Sequence, residues 1–371
     1  MKILFALYHD FTANSALHVC QLASELTALG QHCTVAVPNG KETVQAVPRR
    51  DFAVLDFAEA LGQQWDVVHA WTPREVVRTF CKALSQRSTF RLFVHLEDNE
   101  TYLLAHLNGG GSERVPDGLA HPRRSRELLQ QAEGITVVVD RLAEFVPAGV
   151  PVLEISPSCD RNLFTQRPRN QELRARFRIA AETVVLAYPG NVHEANVREV
   201  RSLYLAAALL NREGTPTLLL RTGKNYAAFG DEFGGEALSK SALELGRVDY
   251  PEIPQILAAA DFLVQPGRPG SFNDYRFPSK LPEFFSTGRP VILPATNLGL
   301  RVRHAEEAWV LPQADAVSIT QAIQLLRRDP ERCRRLGQGG RRFFEQHLDW
   351  AVSARKVLDF YQVGQRSSSN S

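Results

Sequence analysis

No CxxC pair, no Cys/His cluster and no apolar run of membrane-spanning length occurs in this sequence, and each absence removes a class of protein. The five cysteines (Cys20, Cys33, Cys81, Cys159, Cys333) stand far apart, which excludes a disulfide-stapled scaffold and a structural zinc site. Reduced, mostly buried thiols remain. Excess charge of one sign is lacking too: 43 Lys+Arg against 41 Asp+Glu leaves +2, too balanced for bulk nucleic-acid binding. The opening MKILFAL enters a strand at once, without the apolar h-region and cleavage site of a leader. The expectation is a cytoplasmic protein, with room for peripheral contact at the inner face of a membrane. Neither first βα turn contains GxGxxG, so the pyrophosphate turn of a dinucleotide oxidoreductase is missing.

What is present is enough apolar residue for two ordinary cores, 44% of 371. A strand at 3–7, a helix at 15–29, Gly30 as its stop and a strand at 33–37 make a βαβ unit. Apolar runs at 67–69, 92–94 and 135–139 extend it into a parallel sheet. A second series starts near residue 183, with strands at 184–187, 217–220, 262–264 and 291–293 and a helix at 195–211. The polar, Pro-containing EISPSCDRNLFTQRPRN between the two series reads as a linker. The expected fold is therefore α/β: two doubly wound Rossmann-like domains, 1–165 and 166–347, facing across a ligand-binding cleft. A last helix within 348–371 would cross back to the first domain, ahead of a disordered QRSSSNS tail.

The most chemical stretch is GSFNDYRFPSKLPEFFSTGRPVILPATNLG, residues 270–299. Reading Ser279 as the N-cap places Pro282 in the first helical turn, where its missing N–H breaks no bond. Leu281, Phe284 and Phe285 then share one stripe, and Lys280 and Glu283 share another. A helix start with a cation suits a diphosphate, and a carboxylate one turn on suits two vicinal ribose hydroxyls. An ordinary amphipathic helix packed on a sheet accounts for the same residues.

Three segments carry a family resemblance. GRVDYPEIPQILAAADFLVQP, PSKLPEFFSTGRPVILP and SPSCDRNLF, in this chain's spacing, resemble the retaining GT-B glycosyltransferases, close to family 4 (glycosyl transferases group 1). The resemblance covers nearly the whole chain and implies a donor site in the second domain. It aligns Glu283 with a ribose-binding glutamate and puts Lys280 and Ser279 at the diphosphate. Gly246, Arg247 and Val248 would frame the base, and Gly190 with Asn191 matches a phosphate loop. Arg221, at a strand's end, is expected to bind phosphate bidentately and, with Lys280, to offset leaving-group charge. His95 matches a histidine that faces the donor sugar. No bound metal or cofactor is implied, the nucleoside-diphosphate sugar being a co-substrate.

Two departures stand out. The family's second glutamate, eight residues before Glu283, is Tyr275 here, so Asn273, Asp274 and Tyr275 become candidates for its hydrogen bonds. The first loop reads YHDFTANSA where a Gly-Gly turn is common, which makes His9, Asp10, Asn14 and Ser15 acceptor candidates, with Asn14 or Ser15 equally explained as a helix cap. In VHLEDNE, Glu97, Asp98 and Glu100 suit acceptor hydroxyls or a helix start, and His69 reads as a core or supporting residue. The polar stretch 105–129 reads as a loop over the cleft, its Arg123, Arg124 and Arg126 as solvated or facing an acidic or lipid phosphate partner. The expected activity is transfer of a sugar to a glycan, lipid-linked or small-molecule acceptor. The alternatives are a nucleotide-sugar epimerase of the same fold and a non-catalytic nucleotide-sugar-binding protein.

Overall fold

The computed structural model describes residues 1–47, 50–107, 115–227 and 240–362. Part of the expected loop, 108–114, and the expected disordered tail lie outside the described residues. The chain divides into two compact units: 1–158 with 275–277 and 349–371, and 159–274 with 278–348. The divide precedes residue 165 because Cys159 and Phe164 are already buried with the second unit, Phe164 against the Tyr250 ring at 5.3 Å.

In the first unit the strands are β1 (Lys2–Ala6), β2 (His32–Val37), β3 (Ala53–Asp56), β4 (Val67–Trp71), β5 (Arg91–Leu96), β6 (Gly134–Val137) and β7 (Val152–Glu154). They pair in parallel in the order β3-β2-β1-β4-β5-β6-β7. The second unit holds β8 (Val184–Pro189), β9 (Thr217–Thr222), β10 (Ala242–Glu244), β11 (Phe262–Val264), β12 (Val291–Pro294) and β13 (Trp309–Leu311). Their order, β10-β9-β8-β11-β12-β13, is parallel throughout and repeats the winding of the first sheet. In each sheet the direction of winding reverses beside the first strand, β1/β4 and β8/β11, where carboxyl ends of strands leave room for ligands.

Central strands are continuous apolar runs because helices cover both faces of a parallel sheet; Ile3 to Ala6 are fully buried. The last helix, Trp350–Gln362, belongs to the first unit. Trp350, Ala354, Val357 and Tyr361 recur at helical spacing and join Phe5, Trp71 and Phe93 in one core. Among the described residues no helix is long and apolar enough to cross a membrane.

Candidate functional site

Three glycines line the carboxyl ends of neighbouring strands β8, β9 and β10. The Gly190 N–H donates to Thr222 O at 3.2 Å and the Gly223 N–H to Gly246 O at 2.7 Å. Gly190 (φ +155°) and Gly223 (φ +101°) occupy backbone conformations that L side chains rarely adopt. A Cβ on Gly223 would lie 2.5 Å from Gly190 O, and one on Gly190 would lie 3.2 Å from Lys280 Cε. The absent side chains let the Lys280 ammonium settle beside this turn, 4.7 Å from the Tyr188 ring centre.

Lys280 begins the helix Lys280–Ser286, whose Leu281, Pro282, Phe284 and Phe285 are buried. That burial leaves Lys280 and Glu283 half-buried on the remaining face. Burial pushes the Glu283 carboxyl up to about 7, against the pull of Lys280 and a hydrogen bond with Tyr250. Ser279 precedes the helix as expected, but its side chain makes no capping bond. It adopts αR angles (φ −55°, ψ −22°), whereas a capping hydroxyl reaches the first-turn amides from the extended region.

Arg221 differs from the expectation of a free phosphate-binding cation. It is 1% exposed, and its Nε donates to both Glu244 carboxylate oxygens at 3.0 and 2.7 Å. One terminal nitrogen donates to Gly190 O at 3.1 Å and to Thr222 O at 3.4 Å; the other donates to Asn225 Oδ1 at 2.6 Å. The guanidinium therefore braces the glycine turn from below. Asn191 also ties this loop, its Oδ1 accepting the Lys224 N–H at 2.8 Å, while Arg247 is exposed and Val248 half-buried.

The three residues expected to replace the family's second glutamate do not act together. The Asn273 side-chain amide donates to Glu199 and to Arg268 O. Asp274 accepts the Gly270 N–H at 3.1 Å, closing its own loop. Tyr275 falls in the first unit, where its hydroxyl bonds Glu144 and accepts from Arg141 Nε at 3.3 Å.

In the first unit His95 ends β5, 1% exposed and stacked on Trp71 with ring centres 3.9 Å apart. Burial lowers its pKa to about 4, Glu97 opposing, so the ring is neutral. Its Nδ1 meets Thr136 Oγ1 at 2.8 Å; its Nε2 has no partner among the described residues. Glu97 accepts from Ser15 Oγ at 2.5 Å and Trp71 Nε1 at 2.6 Å, with His18 Nδ1 at 3.6 Å. Burial alone would raise this carboxyl, but His18, His95 and Ser15 bring it down to about 2. Glu97 is thus held among its own neighbours.

The first helix, Asn14–Ala28, has Ala13 at its N-cap position, with no side-chain cap. Ser15 serves Glu97 instead, and Asn14 is exposed. Asp10 folds its own turn, accepting Thr12 N at 2.9 Å, and His9 Nδ1 lies 2.9 Å from it. Arg74, which the sequence did not single out, joins Glu100 at 3.0 Å and Asp98 at 3.2 Å and lies 4.0 Å over the Tyr8 ring. Asp98, Glu100, Thr101, Ser125, Arg126 and Glu144 contribute to the walls of a cavity of 310 Å³. Burial pushes the Glu100 carboxyl up to about 7 against Arg74. Arg124 is paired with Glu75 at 2.9 Å, leaving Arg123 and Arg126 exposed.

Sequence reasoning passed over Gly223 and Tyr250. The Gly of LLLRTGK directly after β9 was the readable signal for the first; nothing local marks the second.

Residues 183–329 match the family described as glycosyl transferases group 1. The crystal structure of Anabaena HepE in complex with UDP and glucose is similar at 15% identity and a TM-score of 0.74, over 98% of this chain and 100% of that one. Sucrose-phosphate synthase from Thermosynechococcus elongatus is similar at 18% identity and 0.73, over 99% and 100%. WaaG, a glycosyltransferase involved in lipopolysaccharide biosynthesis, is similar at 15% identity and 0.65, over 97% and 100%. No curated protein matches by sequence. Residues 183–329 of the second unit thus match the glycosyl transferases group 1 family, and the chain as a whole has the GT-B fold of these glycosyltransferase structures.

Proposed function

We propose that the protein moves a hexose-type sugar from a nucleoside diphosphate to a glycan, lipid-linked or small-molecule acceptor, with retention at the anomeric carbon and without a bound metal. One observation carries this reading: Lys280 and Glu283 share one face of a short helix, with the Lys280 ammonium beside the Gly190 turn. The ammonium offsets diphosphate charge, and the carboxylate accepts ribose hydroxyls. Gly246, Arg247 and Val248 frame the base through backbone groups. The HepE structures with UDP and with UDP-glucose support a uridine donor as the first to try.

In the reaction the acceptor oxygen bonds to the anomeric carbon as that carbon's bond to the diphosphate breaks. The acceptor proton passes to the departing diphosphate. Positive charge on the sugar and negative charge on the leaving group grow together, so a cation already in place at the diphosphate lowers the barrier. Arg221 acts indirectly, by holding the loop that Lys280 adjoins. The polar walls of the 310 Å³ cavity support a hydroxyl-rich acceptor there. Arg123 and Arg126 are exposed and available for peripheral contact at the inner membrane face.

The test is nucleoside-diphosphate release across a panel of nucleotide sugars, for the parent chain and Glu283→Ala. A donor turned over by the parent and lost in the variant supports the reading; no turnover of any donor, with binding unaltered by the variant, sinks it. Anomeric analysis of the product decides retention, and activity in excess EDTA decides metal independence.

A further inference from the structure

Four side chains from separate elements of the first unit form a continuous buried chain. Tyr361, on the last helix, places its hydroxyl 2.7 Å from His69 Nδ1. His69 Nε2 lies 2.9 Å from Thr136 Oγ1, and the same oxygen lies 2.8 Å from His95 Nδ1. Tyr361, His69 and Thr136 are fully buried and His95 is 1% exposed, so water does not substitute for a missing partner.

Proton counting gives this chain a direction. The Tyr361 hydroxyl has one proton, and burial keeps it there by raising the phenol well above its ordinary range. Its hydrogen-bond partner among the described residues is His69 Nδ1, so Tyr361 donates. A neutral imidazole that accepts at Nδ1 carries its proton on Nε2, and His69 therefore donates to Thr136. Thr136, already accepting, gives its single proton to His95 Nδ1. The His95 proton then sits on Nε2. The reverse direction would leave His95 Nε2 unpartnered as well and would also strand the Tyr361 hydroxyl proton, a second unsatisfied buried group.

We infer that Tyr361, His69 and Thr136 are positioning residues that hold His95 as a neutral Nε2–H donor toward an oxygen of the substrate. Glu97 and His18 act on His95 from the other elements around it, and Trp71 fixes the plane of its ring. In this arrangement His95 is not a general base, because the nitrogen without a protein partner has no free lone pair. It offers a hydrogen bond to a hydroxyl or ring oxygen. The facing of substrate rests on the transferase reading above; the tautomer does not.

The experiment uses the full chain labelled with ¹⁵N-histidine, the His95 resonances being assigned with His95→Gln. Long-range ¹H–¹⁵N correlation should show a protonated Nε2 and an accepting Nδ1, unchanged from about pH 5 to about pH 8. Thr136→Val should mix the two tautomers and lower kcat about tenfold or more with KM nearly constant, and Thr136→Ser, which keeps the hydroxyl, should restore both. A proton on Nδ1 in the parent, or an unchanged tautomer in Thr136→Val, overturns the chain. An altered tautomer with unaltered turnover overturns the facing of substrate instead.

Discussion

The Lys280 ammonium lies 4.7 Å from the centre of the Tyr188 ring, so the π face of a β8 residue steadies a cation that starts a helix far along the chain. Removing that cation should affect the reaction more than the fold, because Lys280 is only half-buried. Lys280→Ala is expected to lower kcat/KM for the nucleotide sugar about 100-fold with little change in melting temperature. Lys280→Arg should recover part of the loss. Steady-state kinetics on the identified donor, beside a thermal melt, checks both.

Glu283 should make stability and donor binding depend on pH in opposite senses. Its folded carboxyl titrates at about 7, above the ordinary 4.5, so the fold holds this proton more tightly than the unfolded chain does. The contribution of this group to stability is complete below about 4.5 and is lost as pH rises to about 7. Glu283→Gln should therefore melt above the parent at pH 8, the gap closing toward pH 5. Ribose binding needs the ionised form, so the donor KM of the parent should rise as pH falls through about 7, and that dependence should vanish in the variant. A flat KM profile in the parent would count against the ribose role.

Arg221→Ala is expected to act first on stability. It strips Glu244 of its cationic partner, leaving the Tyr204 hydroxyl as a donor to it, and leaves Gly190 O without its guanidinium donor. The cost is about 2–3 kcal/mol, below the figure for a fully buried pair because the Glu244 side chain is 42% exposed. Denaturant melts should show this loss, with any rise in donor KM following from the loosened turn. Loss of activity with full stability would return Arg221 to the phosphate.

Gly223→Ala should be more damaging than its size suggests, since the new methyl would sit 2.5 Å from the backbone oxygen of Gly190. The three-strand turn must open to admit it. Both the melting temperature and donor affinity should fall, whereas Gly214→Ala, where a Cβ meets nothing within 4 Å, isolates the cost of a positive φ alone.

The parts of the fold legible in the sequence are those whose burial is complete on both faces. β1, β2, β4, β5, β6, β8, β9, β11 and β12 announce themselves as apolar runs. The four strands passed over, β3, β7, β10 and β13, are the edges of the two sheets, and their residues are half-buried or exposed. An edge has one neighbour and needs no continuous apolar run. The helix carrying Lys280 and Glu283 was readable because its stripe is local. The turn of Arg221 beneath its loop was not, since strand-end position does not say where a long side chain finds its carboxylate. Tyr250 beside Glu283, and Tyr361 beside His69, are contacts of long sequence separation that no window of the chain displays.

Because Trp350, Val357 and Tyr361 complete the core begun by Ile3 and Phe5, the amino-terminal unit stays unfinished until Tyr361 has left the ribosome. Residues 159–274 and 278–348 meet no such delay. The order of synthesis is thus inverted in the order of maturation, and a nascent chain arrested before Trp350 should be cleaved by protease within 1–158 while the later-made unit resists.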